Sequence, residues 1–274
     1  MDAFVNNFQD FHKQCTARKV PNLVDGKFGK VSVWQHHPTQ KSFFYKQIED
    51  KHYTAIEAFV HNLMKHNRYF VKLFFSMHSL RGHLLIMDYV EDGDLFDLLQ
   101  SEKRIREPEL SLITYQLTDA LQALHKHNIV HNDIKLENVL YTRYRQIYLC
   151  DYGLCKFVNT KSSYEGTVDY FCPEKLAKKP VDVGFDWWAV GVLLFEISTS
   201  KHPYKKYTDE IINMTTLHKR QIQHAIVFPI DFDNVFLKEF ISVMLHYNVE
   251  ERANTFSKIQ QQTYWKSILH WKDH

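Results

Sequence analysis

Asp133, Lys135, Asn138 and Asp151 combine an acid, a cation, an amide and a second acid within one short stretch. They lie in His125–Gly153, HKHNIVHNDIKLENVLYTRYRQIYLCDYG, on two short apolar-flanked segments. A Tyr/Arg-rich turn, Tyr141–Arg145, separates the segments. Acid, amide and acid at this spacing suit the holding of a divalent metal and a polyphosphate beside a general base.

The chain that must position these groups has 274 residues, enough to bury a large core in two lobes. Its formal net charge of +2 is too small to argue for nucleic-acid binding by bulk electrostatics. The 20 Phe and 15 Tyr point to an aromatic-rich core. Cys15, Cys150, Cys155 and Cys172 form no CxxC pair, which fits a reducing compartment. The histidines are scattered, and no H-E-x-x-H spacing suggests a metal site. The start, MDAFVNNFQDF, has no basic or apolar region of a signal peptide. No run approaches the ~20 apolar residues that span a bilayer. A soluble, intracellular protein with no membrane partner is expected.

Along the chain, Phe4, Phe8, Phe11 and Cys15 form one apolar stripe of a short helix, which Pro21 should end. The stripe either packs on the body of the protein or receives a partner. LVDGKFGKVSVW, Leu23–Trp34, alternates like a strand hairpin, with Gly26 and Gly29 bracketing Phe28. Such glycines either make a plain turn or bring backbone N–H groups close to phosphates. Lys46 ends the strand-like SFFYK. A helix follows with Ile56, Phe59, Val60 and Leu63 on one face, and Glu57 at its edge could pair with Lys46. Tyr69–Ser76 and His83–Val90 read as strands. Met87–Leu99 passes from an apolar strand through an acidic link into a helix that Asp92 or Asp94 could cap. Leu110–His127 is strongly helix-periodic. The first third is therefore mostly strand and the remainder mostly helix, an α+β arrangement. The expected divisions are 1–87, a link at 88–92, and 93–274.

VHNDIKLENVL followed by LCDYG resembles the catalytic loop and metal-binding triplet of the eukaryotic-type protein kinases. The supporting motifs fall in that family's order. LVDGKFGKV is similar to its Gly-rich loop, Lys46 to its strand lysine and Glu57 to the helix glutamate that pairs with it. Met87–Val90 resembles the hinge, and GTVDYFCPE (Gly166–Glu174) the end of the activation segment. DWWAVGVLLFE (Asp186–Glu196) resembles the buried helix beneath the active site, and Arg252 the arginine that pairs with Glu174. The resemblance covers about residues 20 to 265. It implies a bilobal kinase fold: a small β-rich N-lobe with one main helix, and a larger helical C-lobe.

The resemblance also implies roles. Asp133 would orient or accept the proton of the attacking hydroxyl, and Lys135 would offset charge on the transferring phosphate. A lysine there is typical of serine/threonine kinases. Asn138 and Asp151 would hold Mg2+, with Mn2+ as a substitute ion. ATP would lie against Val24, Gly26, Phe28, Gly29 and Val31, its phosphates against Lys46, and its adenine against backbone at Asp88 and Val90 beside Met87. Thr167 would bond near Asp133. Asp94 and Glu137 match positions where basophilic kinases meet arginine upstream of the phosphoacceptor.

Three positions depart from the family pattern. Val24 replaces the first loop glycine, Tyr152 replaces Phe in the metal-binding triplet, and Asn132 replaces the arginine that pairs with an activation-segment phosphate. Asn132 has no charge for that pairing, so activity should not require such a phosphate, although Ser163 lies where one could sit.

Among the protein kinases, the compact chain and the HNDIKLEN loop are similar to the serine/threonine kinases of baculoviruses. That family is associated with late gene expression and with phosphorylating a small Arg/Ser-rich, DNA-condensing nucleocapsid protein. The implied setting is the host nucleus or cytoplasm, or the virion. The alternatives are a catalytically weak kinase-fold scaffold, a small-molecule kinase, or a nucleic-acid-binding protein using Lys201–Lys206 and Leu217–Gln221. The peptide platform Gly166–Glu174 argues against the small-molecule kinase. Oligomeric state is not legible.

Overall fold

The computed structural model describes residues 8–273 other than 22, 24, 26–28, 208 and 224. Two compact units divide the chain, Met1–Glu91 and Asp92–His274.

The first unit is built on a five-stranded antiparallel sheet of order β1-β2-β3-β5-β4. Its strands are β1 (Cys15–Arg18), β2 (Gly29–His36), β3 (Lys41–Ile48), β4 (Leu73–Ser79) and β5 (Gly82–Asp88). In β3, Phe43 and Tyr45 are buried on one face of the sheet, and Ile48, of opposite parity, is buried on the other. Helix α1 (Phe8–Lys13) helps to cover it: Phe11 packs edge-on against Phe43 with ring centroids 5.0 Å apart. Phe11, Cys15, Phe43, Tyr45 and Ile86 form one buried cluster. The aromatic stripe thus serves packing, though Phe4 lies outside the described residues. The helix stops at Lys13, well before Pro21. Cys15–Arg18 pairs with Val33–His36 instead, because the sheet ladder satisfies backbone groups that a longer helix would have to satisfy itself.

Helix α2 (Ala55–Leu63) also departs from the periodic reading. Its buried residues are Glu57, Val60 and His61, whereas Phe59 is 46% exposed. His61 Nδ1 lies 3.0 Å from the Val71 carbonyl oxygen. Polar atoms with partners can occupy an inner helix face, which a rule based on apolar spacing alone does not anticipate. Strand β4 begins at Leu73, later than expected, and a register shift between Leu73 and Phe75 accompanies its start.

The second unit is mainly helical. Helix α3 (Leu95–Glu102) is capped by Asp94, whose Oδ1 accepts from the Asp97 N–H at 2.9 Å. Helix α4 (Glu109–His125) follows, with nearly all of its residues buried. Four short strands come next: β6 (Ile129–Val130), β7 (Val139–Thr142), β8 (Gln146–Leu149) and β9 (Lys156–Phe157). β7 pairs with β8, and β6 with β9. After the short helix α5 (Pro173–Leu176) comes α6 (Gly184–Thr199), apolar on every side and the interior of the unit. The remaining helices are α7 (Met214–Gln223), α8 (Val235–Met244), α9 (Phe256–Gln260) and α10 (Thr263–Ser267).

Candidate active site

The β7–β8 hairpin brings Asn138 and Asp151 to one end of a single element. Its register pairs Val139 with Leu149, and the Cys150 N–H donates to the Asn138 carbonyl at 3.2 Å. Asn138 leads into one strand and Asp151 follows the other, so both stand at the open end of the hairpin. Asp151 has φ 60°, the left-handed region that costs a non-glycine residue energy.

Asp133 is buried and held from several sides. Its Oδ1 accepts from the Thr167 N–H at 2.9 Å and from the Thr167 hydroxyl at 3.0 Å. Its Oδ2 accepts from Asn138 Nδ2 at 3.1 Å, with Lys135 Nζ 3.7 Å away. Asn138 Nδ2 also donates to the Asp133 carbonyl at 2.7 Å. The nitrogen of the Asn138 amide is therefore committed to Asp133, and its oxygen is the atom suited to a hard cation.

The loop below Asp133 hangs from Asp186 of α6. One carboxylate oxygen accepts from the His131 N–H and the other from the Asn132 N–H, each at 2.8 Å. His125 Nε2 lies 2.8 Å from the same group. Burial alone would raise the Asp186 pKa, but the bond to His125 and the neighbouring charges and N–H groups outweigh it and lower it.

The activation segment is pressed onto this loop. At Gly166, φ is +105°, and a Cβ would lie 3.0 Å from the Asn132 carbonyl oxygen and 3.1 Å from Asp133 Oδ1. Glu174 and Arg252 form a two-pronged ion pair at 2.6 and 3.0 Å. The Arg252 guanidinium also lies over Trp188, 4.7 Å from the ring centre.

In the first unit, Lys46 Nζ stands 2.6 Å from Glu57 Oε1. Lys46 pairs with Val31 on β2 and Leu85 on β5, which fixes it at the middle of the sheet. Met87 is buried on β5, Val90 follows that strand half-buried, and the Asp88 N–H donates to the Lys72 carbonyl at 2.9 Å. Burial raises the Asp88 pKa against the lowering effect of Lys41 and Lys72. A Cβ at Gly29 would lie 1.8 Å from the Gln47 carbonyl oxygen, so this glycine lets β2 approach β3 closely. Val24, Gly26 and Phe28 lie outside the described residues.

Asp94 and Glu137 interact electrostatically. Burial raises the Asp94 pKa, and the charges of Asp97 and Glu137 add to that shift. Glu196 on α6 is a further member of this acidic group that motif spacing does not reveal. It accepts from the Tyr170 hydroxyl, and burial pushes its pKa up to about 8. Asp169 and Glu137 raise it further, while Lys205 opposes them. A charged residue within an otherwise apolar buried helix was the available signal. Two cations of the basic clusters are already paired, Lys205 with Asp169 and Arg220 with Glu210.

Comparison with known proteins bears on this geometry. Residues 18–265 match the model of the protein kinase domain. The chain belongs to the protein kinase family. It is 66% identical to serine/threonine-protein kinase 1 of Lymantria dispar multicapsid nuclear polyhedrosis virus, over 99% of each chain. It is 45% identical to the protein of that name from Heliothis zea nuclear polyhedrosis virus, over 96% of this chain and 98% of the relative. The solved structure of the Cydia pomonella granulovirus kinase PK-1 superposes with a TM-score of 0.84 at 33% identity, covering 97% of this chain and 99% of that one. The molecule is thus a serine/threonine protein kinase of baculovirus type.

The site also bears on the kinase's metal. Among the described residues, no group of three or more His, Cys, Asp or Glu is arranged to hold an ion. The donors at the hairpin end are instead one amide oxygen and one carboxylate. That sparse, all-oxygen set fits Mg2+, which keeps waters and takes substrate phosphates as its remaining ligands.

Proposed function

We propose that this kinase transfers the γ-phosphate of ATP to serine or threonine in a basic, Arg-rich protein, and that it does so without a phosphate on its activation segment. The observation that carries the substrate reading is the electrostatically linked carboxylate group Asp94, Glu137 and Glu196. Guanidinium groups complement such carboxylates in two-pronged pairs. A small Arg/Ser-rich, DNA-condensing nucleocapsid protein suits these subsites. Added phosphate would cancel its positive charge and weaken its hold on DNA. In this reading the kinase acts in the host nucleus or cytoplasm, or in the virion.

In this reading, Asp133 Oδ1 is occupied by Thr167, and Oδ2 accepts the proton of the attacking hydroxyl. Lys135, on the Oδ2 side, offsets charge on the transferring phosphoryl group. Lys46, oriented by Glu57, binds phosphate oxygens of ATP. Asn138 Oδ1 and Asp151 would hold Mg2+, which would supply positive charge against the phosphate oxygens. Gly29, Val31, Met87, Asp88 and Val90 would line the nucleotide, and the family resemblance assigns Val24, Gly26 and Phe28 to the same role.

Independence from phosphorylation rests on Asn132, which carries no charge to receive a phosphate. The Ser163 hydroxyl donates to Glu165 at 2.5 Å, an acidic neighbour that would repel a phosphate there. A peptide array with the parent and Asp133→Asn tests the whole reading. Phosphorylated Ser/Thr with Arg upstream is expected only from the parent. An acidic or proline-directed preference would overturn the substrate assignment, and loss of activity on phosphatase treatment would overturn the phosphate independence.

A further inference from the structure

Lys175 follows Glu174 in α5. It is 3% exposed. Its ammonium donates to the Asn132 side-chain oxygen at 2.6 Å and to the Asn132 carbonyl at 3.0 Å. It also lies over the ring of Phe171, 4.3 Å from its centre. Three N–H groups thus face two oxygens and one π surface, which accounts for the donors of a buried ammonium. The same Asn132 side chain donates from Nδ2 to the Leu154 carbonyl at 3.0 Å. Accepting from a cation on one side and donating to a carbonyl on the other fixes the amide's orientation.

The family pattern places a cation on the catalytic loop and a phosphate on the activation segment. Here the arrangement runs the other way: the activation segment carries the cation and the loop residue accepts from it. We propose that Lys175 is a positioning residue for the kinase reaction, a buried donor built into the fold that locks Asn132, and with it the backbone leading into Asp133, in the active arrangement. Asn132 has φ 70°, a left-handed conformation that side-chain and carbonyl bonds must maintain. The adjoining N–H is taken by Asp186, so both faces of the Asn132 backbone are held.

Other groups agree with this role. Asp133, Asp186, Glu165 and Cys172 all favour the charged form of Lys175, but burial dominates and brings its pKa down to about 8. Glu165 itself is bonded to Ser163 and to Lys156, which lies 2.9 Å away. Gly166 packs within the same cluster, since a Cβ there would lie 3.4 Å from Lys175 Nζ. The site therefore joins the two ends of the activation segment, Leu154 and Lys175, through one loop residue.

This inference deepens the phosphate-independent reading, and it is tested separately from it. Lys175→Met, in the full-length kinase, removes the donors while nearly keeping the volume. Loss of charge-assisted buried bonds is expected to lower kcat roughly 10- to 100-fold. The KM for ATP is expected to stay within about threefold, because no Lys175 contact described above involves a nucleotide-binding residue. Hydrogen exchange is expected to quicken in residues 130–138 and not across the whole chain. A folded Lys175→Met enzyme whose kcat is within about threefold of the parent would overturn the proposal. So would an equal loss through KM alone.

If that variant does not fold, Asn132→Ala takes its place. It removes the side-chain acceptor of Lys175 but keeps the backbone carbonyl. A smaller fall in kcat supports the proposal, and an unchanged kcat overturns it. Phosphatase treatment of the parent separates the two readings. If the treated parent is inactive, the phosphate-independent reading fails, while the variants, assayed in the phosphorylated form, still report on Lys175.

Discussion

Lys46 and Asp133 are secured in different ways. In the first unit an ion pair joins a strand residue to a helix residue, Lys46 to Glu57 at 2.6 Å. Residues 49–54, between β3 and α2, lie between the partners. In the second unit Asp133 sits in a network that includes Thr167, Asn138, Asn132, Lys175 and Asp186. A joint between two elements is broken by losing either partner. A satisfied buried network spreads the loss of one bond and specifies one geometry more strongly. The contrast teaches that the loop carrying Asp133 is preset, whereas the orientation of Lys46 depends on where α2 stands.

The largest expected effect is at Asp133, the proposed base. Asp133→Asn keeps an oxygen for Thr167 but cannot take a proton. The kcat is expected to fall by about 100- to 10,000-fold with thermal stability near that of the parent. Steady-state kinetics and a melting curve check both halves. A large stability loss would mean that the network does not absorb the loss of one acceptor.

Glu57→Ala tests the ion pair. With side chains 18% and 4% exposed, removing one partner strands the other's charge and is expected to destabilise by about 3–5 kcal/mol. The double replacement Lys46→Met with Glu57→Leu is expected to recover most of that stability and none of the activity. Chemical denaturation of the parent and the two variants measures it. Failure of the double variant to recover would show that the pair is a packing element rather than a joint.

Gly166→Ala sharpens the contrast from the other side. It places a methyl group between the activation segment and the loop at positive φ, with an expected cost of about 1–3 kcal/mol. An unchanged unfolding midpoint would mean that the two segments can separate at little cost.

The smallest effect concerns pH. Burial raises the Glu196 carboxyl to about 8, so it is mainly neutral at pH 6.5 and ionised at pH 8.5. An Arg-containing peptide prefers the ionised form. Its KM is therefore expected to fall as pH rises through this window, by no more than roughly tenfold. Glu196→Gln should flatten that dependence. An identical slope in both enzymes would remove Glu196 from substrate recognition.

Much of the second unit's site was legible because its groups fall on one hairpin and the loop before it, where linear spacing becomes spatial spacing. The Lys46–Glu57 pairing was open to inference because the helix follows the strand closely. Other features were hidden for physical reasons. The inner face of α2 contains Glu57 and His61, so counting apolar residues selected Phe59 instead, which is exposed. The end of α1 was set by pairing to β2 rather than by a breaker residue. Lys175 is a charge that sequence rules place at the surface, yet it is buried, and Glu196 is half-buried; both meet partners distant in the chain. Asn132 lies 43 residues before Lys175, and Tyr170 lies 26 before Glu196.

The hydroxyl of Tyr152 carries a final consequence. Tyr152 is fully buried beside His131, and its hydroxyl donates to the Leu149 carbonyl at 2.5 Å. A phenylalanine there would be free to swing outward at the cost of packing alone. The tyrosine must also abandon a buried bond, which shifts the inward population by about 0.5–1.5 kcal/mol, a factor of roughly two to ten. Small molecules that occupy the space vacated by an outward ring should therefore bind this kinase more weakly than Tyr152→Phe. Competitive displacement measured on the two enzymes reads that difference directly.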